Sequence, residues 1–485
     1  MIELRGVSFS YSDGAQGGLK DITLSIPDGQ CVLLCGRSGC GKTTLTRLIN
    51  GLIPHFFPGE LHGEVLLDGT RISDLPMYRI AEKVGSVFQN PRTQFFNVDT
   101  DGEIAFGLEN AAQPPERMRR RVAQTARELR IESLLGRGIF ELSGGEKQKI
   151  AFASVYALNP DIYLLDEPSS NLDAAAIGEL QERLRRLRAQ GRTIVIAEHR
   201  LYYLMDVADR VLYLENGRIA GDYTPEQLRA LPAAQRWAMG LRAVNLAQEK
   251  PPLRQFERGA FALELRGVSL RYRKRPVLED IFVQAAPGEI IALAGRNGAG
   301  KTSLSRALCG LHREGAGDYL WNGRPQSARE RMKRACMVMQ DVNYQLFAES
   351  VAAECVFGLK RPNLHLADET LAALGLAALA QRHPATLSGG QKQRLAVAAG
   401  VVSGRELLVL DEPTSGLDYD SMVRLAALVQ KLAGMGRIIF IVTHDYEFVC
   451  RSCTRVLQLE GGRIRSDLSV TQENTSEIRD VFEVR

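Results

Sequence analysis

Two stretches of this sequence carry the glycine spacing that lets a backbone wrap a phosphate: Gly36-Arg-Ser-Gly-Cys-Gly-Lys-Thr43 and Gly295-Arg-Asn-Gly-Ala-Gly-Lys-Thr302. Each follows a short apolar run and precedes a helical pattern, the context a phosphate-binding loop requires. The glycines (Gly36, Gly39 and Gly41; Gly295, Gly298 and Gly300) let N–H groups turn inward, and the helix N-terminus adds partial positive charge. Lys42 and Lys301 supply a point charge to terminal phosphates. The hydroxyls of Thr43 and Thr302 suit Mg2+, and Thr44 and Ser303 complete the anion-binding set. Asp166-Glu167 and Asp411-Glu412 each follow an apolar run, Ile162–Leu165 and Leu407–Leu410. An acidic pair at the carboxyl end of a buried parallel strand divides the labour, the aspartate reaching toward the metal and the glutamate poising a water. A strand-end turn before Pro168 and Pro413 is the plainer alternative. His199 and His444 end the next apolar runs, where an imidazole can bond a γ-phosphate or simply pack.

These residues recur because the chain is written twice. Glu3–Ser8 returns at Glu264–Ser269, and the offset between matched motifs falls from 261 to 245 along the chain. It stays at 245 from Leu142-Ser-Gly-Gly145 and Leu387-Ser-Gly-Gly390 through Asp166/Asp411 to His199/His444. Length differences therefore sit in loops between motifs. In each copy apolar strands (Gln30–Cys35, Ile162–Leu165, Thr193–Ala197; Ile290–Ala294, Leu407–Leu410, Ile438–Val442) alternate with helical stripes such as Ile177, Leu180, Leu184 and Leu187, or Leu425, Leu428 and Leu432. Alternation of this kind implies an α/β fold with a mainly parallel sheet covered on both faces. Met118, Val122, Ala126 and Leu129, matched by Leu371, Leu374 and Leu376, predict a small helical lobe inserted in each copy. The expected domains are 1–222 and 261–485, joined by a helical strap and linker, 223–260. There Thr224-Pro225-Glu226 starts a helix, Trp237, Leu241 and Val244 continue its apolar face, and Pro251-Pro252 breaks it.

The 485 residues are 45% hydrophobic and 24% charged, with a net charge of +4, too balanced to announce nucleic acid as a partner. Apolar stretches such as Ala396–Val402 stop short of the ~20 residues that cross a bilayer, and the N-terminus reads at once as a strand, Met1–Phe9, with no secretory layout. The eight cysteines lie in apolar, strand-like or helical contexts that suit reduced thiols. Cys450 and Cys453 form a lone CxxC without a second pair at zinc spacing.

The ordered series of phosphate loop, glutamine (Gln89, Gln340), Leu-Ser-Gly-Gly, Leu-Asp-Glu-Pro, Ser-x-Leu-Asp and histidine resembles ABC-type ATPase domains over nearly the whole chain, twice. The resemblance implies two P-loop NTPase domains in tandem that bind ATP and Mg2+. Glu167, Glu412, His199 and His444 would be catalytic. Thr43, Gln89 and Asp166, with Thr302, Gln340 and Asp411, would serve the metal. The signature turns Ser143-Gly144-Gly145 and Ser388-Gly389-Gly390 would close on the γ-phosphate held by the opposite domain, which demands head-to-tail pairing within the molecule. Tyr11 and Tyr272 look like the aromatic that stacks on adenine, with a core tyrosine as the competing interpretation. Glu146 stands opposite Gln391 and Asn171 opposite Gly416, minor departures that leave two competent sites expected.

Val87-Phe-Gln-Asn-Pro-Arg-Thr-Gln-Phe-Phe96 and Val338-Met-Gln-Asp-Val-Asn-Tyr-Gln-Leu-Phe347 place a second glutamine five residues after the first, then run to Glu103 or Glu354 and to Phe-Gly-Leu. With Ala197-Glu-His-Arg200, this is similar to the energy-coupling-factor (ECF) ATPases, importers of vitamins and transition-metal ions. The similarity implies a transmembrane coupling subunit, a substrate-binding membrane subunit and a peripheral position on the cytoplasmic side of the membrane, with no direct nucleic-acid contact. Phe95 and Phe96 as simple core residues remain the alternative there. The rival function is a soluble duplicated ATPase acting on ribosomes or nucleic acid. Its relatives carry a long charged connector, and those of DNA repair carry zinc-binding cysteine pairs. Arg119–Arg121 and Arg185–Arg188 are read as solvated helix faces.

Overall fold

A computed structural model describes residues 1–12, 17–170, 172–251, 256–272, 275–312 and 315–484. Their contacts divide the chain into two units, Met1–Val244 and Asn245–Arg485.

In the first unit the apolar runs become a six-stranded sheet in the order Arg218–Tyr223, Arg210–Glu215, Cys31–Cys35, Thr193–Ala197, Ile162–Asp166, Val84–Val87. Every pairing is parallel except the hairpin formed by the first two strands. Successive side chains of a strand point to opposite faces, and here both faces are buried. Cys31, Leu33 and Cys35 enter one core with the helices, while Val32 and Leu34 enter a second core. That second core is closed by a four-stranded antiparallel sheet, ordered Leu19–Ile26, Ile2–Tyr11, Gly59–Leu67, Thr70–Arg71. Sequence reading recovers only its Ile2–Tyr11 strand, because Lys20-Asp21 and a set of register shifts interrupt the apolar alternation.

The second unit repeats the plan: a six-stranded sheet Ala335–Val338, Leu407–Asp411, Ile438–Val442, Ile290–Ala294, Arg455–Glu460, Arg463–Ser469, and an antiparallel sheet led by Arg275–Ala285 and Leu263–Tyr272. Ile290, Ala292 and Ala294 face one core, Ile291 and Leu293 the other. The inserted lobes comprise Thr100–Asn110, Pro115–Leu129 and Gly144–Leu158, and Val351–Val356, Leu364–Ala373 and Gly389–Val402. Val122, Ala126 and Leu129 are buried along the stripe the spacing predicts, with Met118 half-buried; Leu371 is buried on its helix, and Leu374 and Leu376 are buried just past that helix's end.

The strap departs from expectation. Thr224 caps Pro225–Ala230 through a reciprocal pair with Gln227, but the helix ends there and a second one, Ala233–Ala238, starts after Pro232. Proline restricts its predecessor to extended backbone and removes a donor, so one continuous amphipathic helix cannot form. Leu241 and Val244 are buried in the first unit's core beyond the helix, and Trp237 stays 38% exposed. Residues to Val244 thus belong to the first unit; Pro252 lies outside the described residues. All eight cysteines are free, and burial pushes Cys450 and Cys453 up to about 12. Among the described residues, no helix is long and apolar enough to cross a membrane.

Candidate functional site

In each unit the loop after the central strand turns back on itself at a residue that must be glycine. Gly36 and Gly295 both have φ of 139°, and a Cβ at either would lie 2.2 Å from a carbonyl oxygen, that of Leu214 or Leu459. The loop then feeds the helices Lys42–Ile49 and Lys301–Leu308. Lys42 Nζ donates to the carbonyls of Gly36 and Arg37 at 2.9 and 3.0 Å, and Lys301 Nζ to those of Gly295 and Arg296 at 2.6 and 3.0 Å. Both ammonium groups are buried over the hollow of the loop. In the first unit a cleft of about 510 Å³ borders it, lined by Ser38, Gly39, Gly17, Lys20 and His62 among others.

The acidic pair sits at the ends of Ile162–Asp166 and Leu407–Asp411, one strand removed from the loop-bearing strand. Thr302 Oγ1 donates to Asp411 Oδ2 at 3.0 Å. Burial raises the Asp166 and Asp411 carboxyls, opposed by hydrogen bonds from Thr43 and Thr302 and by the lysines. The next residues take left-handed backbone, φ 47° at Glu167 and 51° at Glu412, uncommon for a side chain of this size. Their N–H groups donate to Ala197 O and Val442 O on the neighbouring strand at 2.8 and 2.9 Å. This turn swings the glutamate away from the aspartate and toward the histidine. His199 Nε2 stands 3.5 Å from Glu167 Oε1, and His444 Nε2 stands 3.4 Å from Glu412 Oε1. Burial, then Asp166 and Glu198, hold Glu167 well above the usual carboxylate range.

Lysine, aspartate, glutamate and histidine therefore converge at the carboxyl ends of the parallel strands in both units, as open α/β sheets place their ligand sites. The glutamines differ. Gln89 is half-buried and its Nε2 donates to Glu167 Oε2 at 2.7 Å, whereas Gln340 is exposed. The tyrosines differ too. Tyr11 packs edge-on against Phe9 and Phe57, with its hydroxyl 3.0 Å from Thr44 Oγ1, while Tyr272 is 68% exposed. The donors of Thr43, Gln89 and Asp166, and of Thr302, Gln340 and Asp411, are all oxygen, the set a hard cation prefers. The hydroxyl–carboxylate contact at Thr302 and Asp411 gathers two of them, so the residues present fit Mg2+.

Ser143 and Ser388 cap the helices Gly144–Leu158 and Gly389–Val402, each in a reciprocal pair with Glu146 or Gln391. That accounts for the difference at this position: either side chain accepts the serine N–H, at 2.8 or 2.9 Å. Both serines are exposed, and Gly144-Gly145 and Gly389-Gly390 form the first helical turn, where N–H groups await an acceptor. Asn171 lies outside the described residues.

Sequence reasoning gave no role to Glu198, which is buried directly before His199. A carboxylate at the end of an otherwise apolar strand was the available signal. Phe96 is 73% exposed rather than part of a core, while Phe95 packs half-buried against the helical lobe.

A pair of phosphate-loop α/β units, each with a helical lobe and a capped Ser-Gly-Gly turn, defines a tandem nucleotide-binding ATPase. The family model for ABC transporters matches residues 19–170 and 278–415. A protein of Treponema denticola named "Putative ABC transporter ATP-binding protein" is 51% identical over 485 residues, spanning 99% of both chains. In the fold alone, the chain is similar to a structure described as ribosome-bound archaeal Pelota and ABCE1 (TM-score 0.70, 18% identity, 97% of this chain and 80% of that one). CbiO1 of Clostridium perfringens, described as part of the ABC transporter complex CbiONQ, matches 49% of this chain and 93% of its own at 28% identity and a TM-score of 0.43. The chain belongs to the ABC transporter family. It is an ABC-type ATPase, and ATP with Mg2+ is the ligand of its class.

Proposed function

We propose that the chain is the ATP-hydrolysing motor of an ECF-like importer for a vitamin or transition-metal ion, working against separate membrane subunits. One observation carries the reading: both units present an exposed phenylalanine on a loop held rigid from beneath. Gln94 and Gln345 accept the N–H groups of Phe88 and Met339 at 3.0 and 2.8 Å. The buried carboxylate of Glu103 accepts those of Phe96 and Asn97 at 3.0 and 2.9 Å, and Glu354 accepts those of Phe347 and Ala348 at 2.8 and 2.7 Å. Phe96 and Phe347 are then 73% and 69% exposed, and Phe96 stacks on Phe106 at 4.8 Å. Aromatic side chains held out on ordered backbone are what a coupling helix of a membrane subunit would grip.

In this reading two composite sites form head to tail. Lys42, Asp166, Glu167 and His199 face Ser388, Gly389 and Gly390, and Lys301, Asp411, Glu412 and His444 face Ser143, Gly144 and Gly145. Tyr11 and Tyr272 serve the base; Gly36, Gly39, Gly41, Thr43 and Thr44, with Gly295, Gly298, Gly300, Thr302 and Ser303, wrap the phosphates. Glu167 and Glu412 accept the proton of the attacking water as its oxygen bonds the γ-phosphorus and the bond to ADP breaks. His199 and His444 donate to the γ-phosphate. Mg2+, when bound by Thr43, Gln89 and Asp166 or by Thr302, Gln340 and Asp411, neutralises charge on the phosphates. Closure on ATP and opening after cleavage pass to the membrane subunits near Gln89 and Gln340.

The test is purification from native membranes in mild detergent. Small hydrophobic subunits should accompany the chain, and a Phe96→Asp/Phe347→Asp variant should lose them. Co-sedimentation with ribosomes and none with membranes would overturn the importer in favour of a soluble ATPase.

A further inference from the structure

The two units differ at a group of buried positions beside the catalytic residues. Glu198 is 2% exposed, and its carboxylate gathers four donors from two segments. Oε1 accepts the N–H groups of His199 and Arg200 at 2.8 and 3.2 Å. Oε2 accepts the Ser169 N–H at 3.2 Å and the Tyr203 hydroxyl at 2.9 Å. Ser169 follows the left-handed turn at Glu167, and Arg200 Nη1 donates to its carbonyl at 3.4 Å. The backbone carrying Glu167 and the backbone carrying His199 are thus tied to a single anion. Burial and Glu198 push Tyr203 well above its usual range, so the hydroxyl stays a donor.

At the constant offset of 245 the second unit has Thr414, Thr443, Asp445 and Phe448 at these positions. Thr443 Oγ1 lies 3.3 Å from Thr414 Oγ1 and accepts the Asp445 N–H at 3.1 Å, and Asp445 caps the Phe448 N–H at 3.1 Å. Phe448 has no hydroxyl to give. Both members of the Glu198–Tyr203 pair differ in the second unit, where the Thr443–Thr414 hydroxyl contact, with Asp445 capping Phe448, stands in place of the four-donor anchor.

We propose that Glu198 is a positioning residue that holds Glu167 and His199 in register, and that its replacement by Thr443 makes the two sites cleave ATP at unequal rates, the first faster. The proposal rests on the catalytic reading of those residues. A carboxylate in low dielectric fixes N–H donors more firmly than a hydroxyl, and small misplacements of a general base are costly in rate.

The experiment measures single-turnover cleavage of ATP by the full chain in two backgrounds. In Glu412→Gln, which leaves the Glu167 site, Glu198→Thr should slow cleavage about 10- to 100-fold while half-saturation by ATP moves less than about twofold. In Glu167→Gln the same substitution should change nothing. Tyr203→Phe removes one donor with little change in packing, and carries the test should Glu198→Thr fail to fold; it should give a smaller loss in the first background alone. Equal losses in both backgrounds, or none in either, overturn the proposal. Absence of cleavage by the unsubstituted chain overturns instead the catalytic reading beneath it.

Discussion

Glu167 and Glu412 occupy backbone that glutamate disfavours, and Glu167 is a buried carboxylate beside two others. Strain of this kind costs about 1–3 kcal/mol per residue and persists where function requires it. Because the folded carboxyl of Glu167 titrates above its unfolded value of about 4.5, its ionised form opposes folding at neutral pH. That cost fades as pH falls through the raised folded value. Glu167→Gln should therefore raise Tm at about pH 8 by roughly 2–4 °C, for about 1 kcal/mol in a domain of this size, and the gain should shrink toward about pH 5. Scanning calorimetry across that range decides it; a gain independent of pH would refute the assignment. Gly36→Ala must displace the Leu214 carbonyl, and should abolish binding of a fluorescent ATP analogue at the first unit's loop. At this scale the sequence was most legible: glycine, lysine, aspartate, glutamate and histidine lie together where their order predicted. Glu198 was missed because its value comes from Ser169 and Tyr203, which only the folded chain brings to it.

Among the elements, the loops at Gln89–Asn97 and Gln340–Ala348 depend on a buried acid. Removing the acceptor of two half-buried N–H groups costs about 1 kcal/mol, the low end of the range for a buried donor. Glu103→Ala should lower stability by that amount and weaken retention on membranes, whereas Glu103→Gln, which keeps one acceptor oxygen, should lose less of both; thermal melts and membrane fractionation measure them. Parallel strands and lobe helices were readable from unbroken apolar runs and 3.6-residue stripes. The antiparallel sheet is not, since its strands are half-exposed and bulged, and the strap breaks at Pro232, which its apolar spacing does not show.

For the whole molecule, the duplication was plain from matched motifs. Each unit has its own two apolar cores, one on each face of its central sheet. Fragments 1–244 and 245–485 should consequently fold alone, each with a single cooperative melt, and turnover should return only when they are mixed. A fragment that aggregates or melts without cooperativity would refute this.

Carrying both copies on one polypeptide has a further result. When two identical subunits assemble, any replacement is printed on both sides at once, and symmetry is preserved by arithmetic. Here one matched position carries Glu198 in the first unit and Thr443 in the second, so a single polypeptide holds two unlike sites in fixed one-to-one supply, which no homodimer could do.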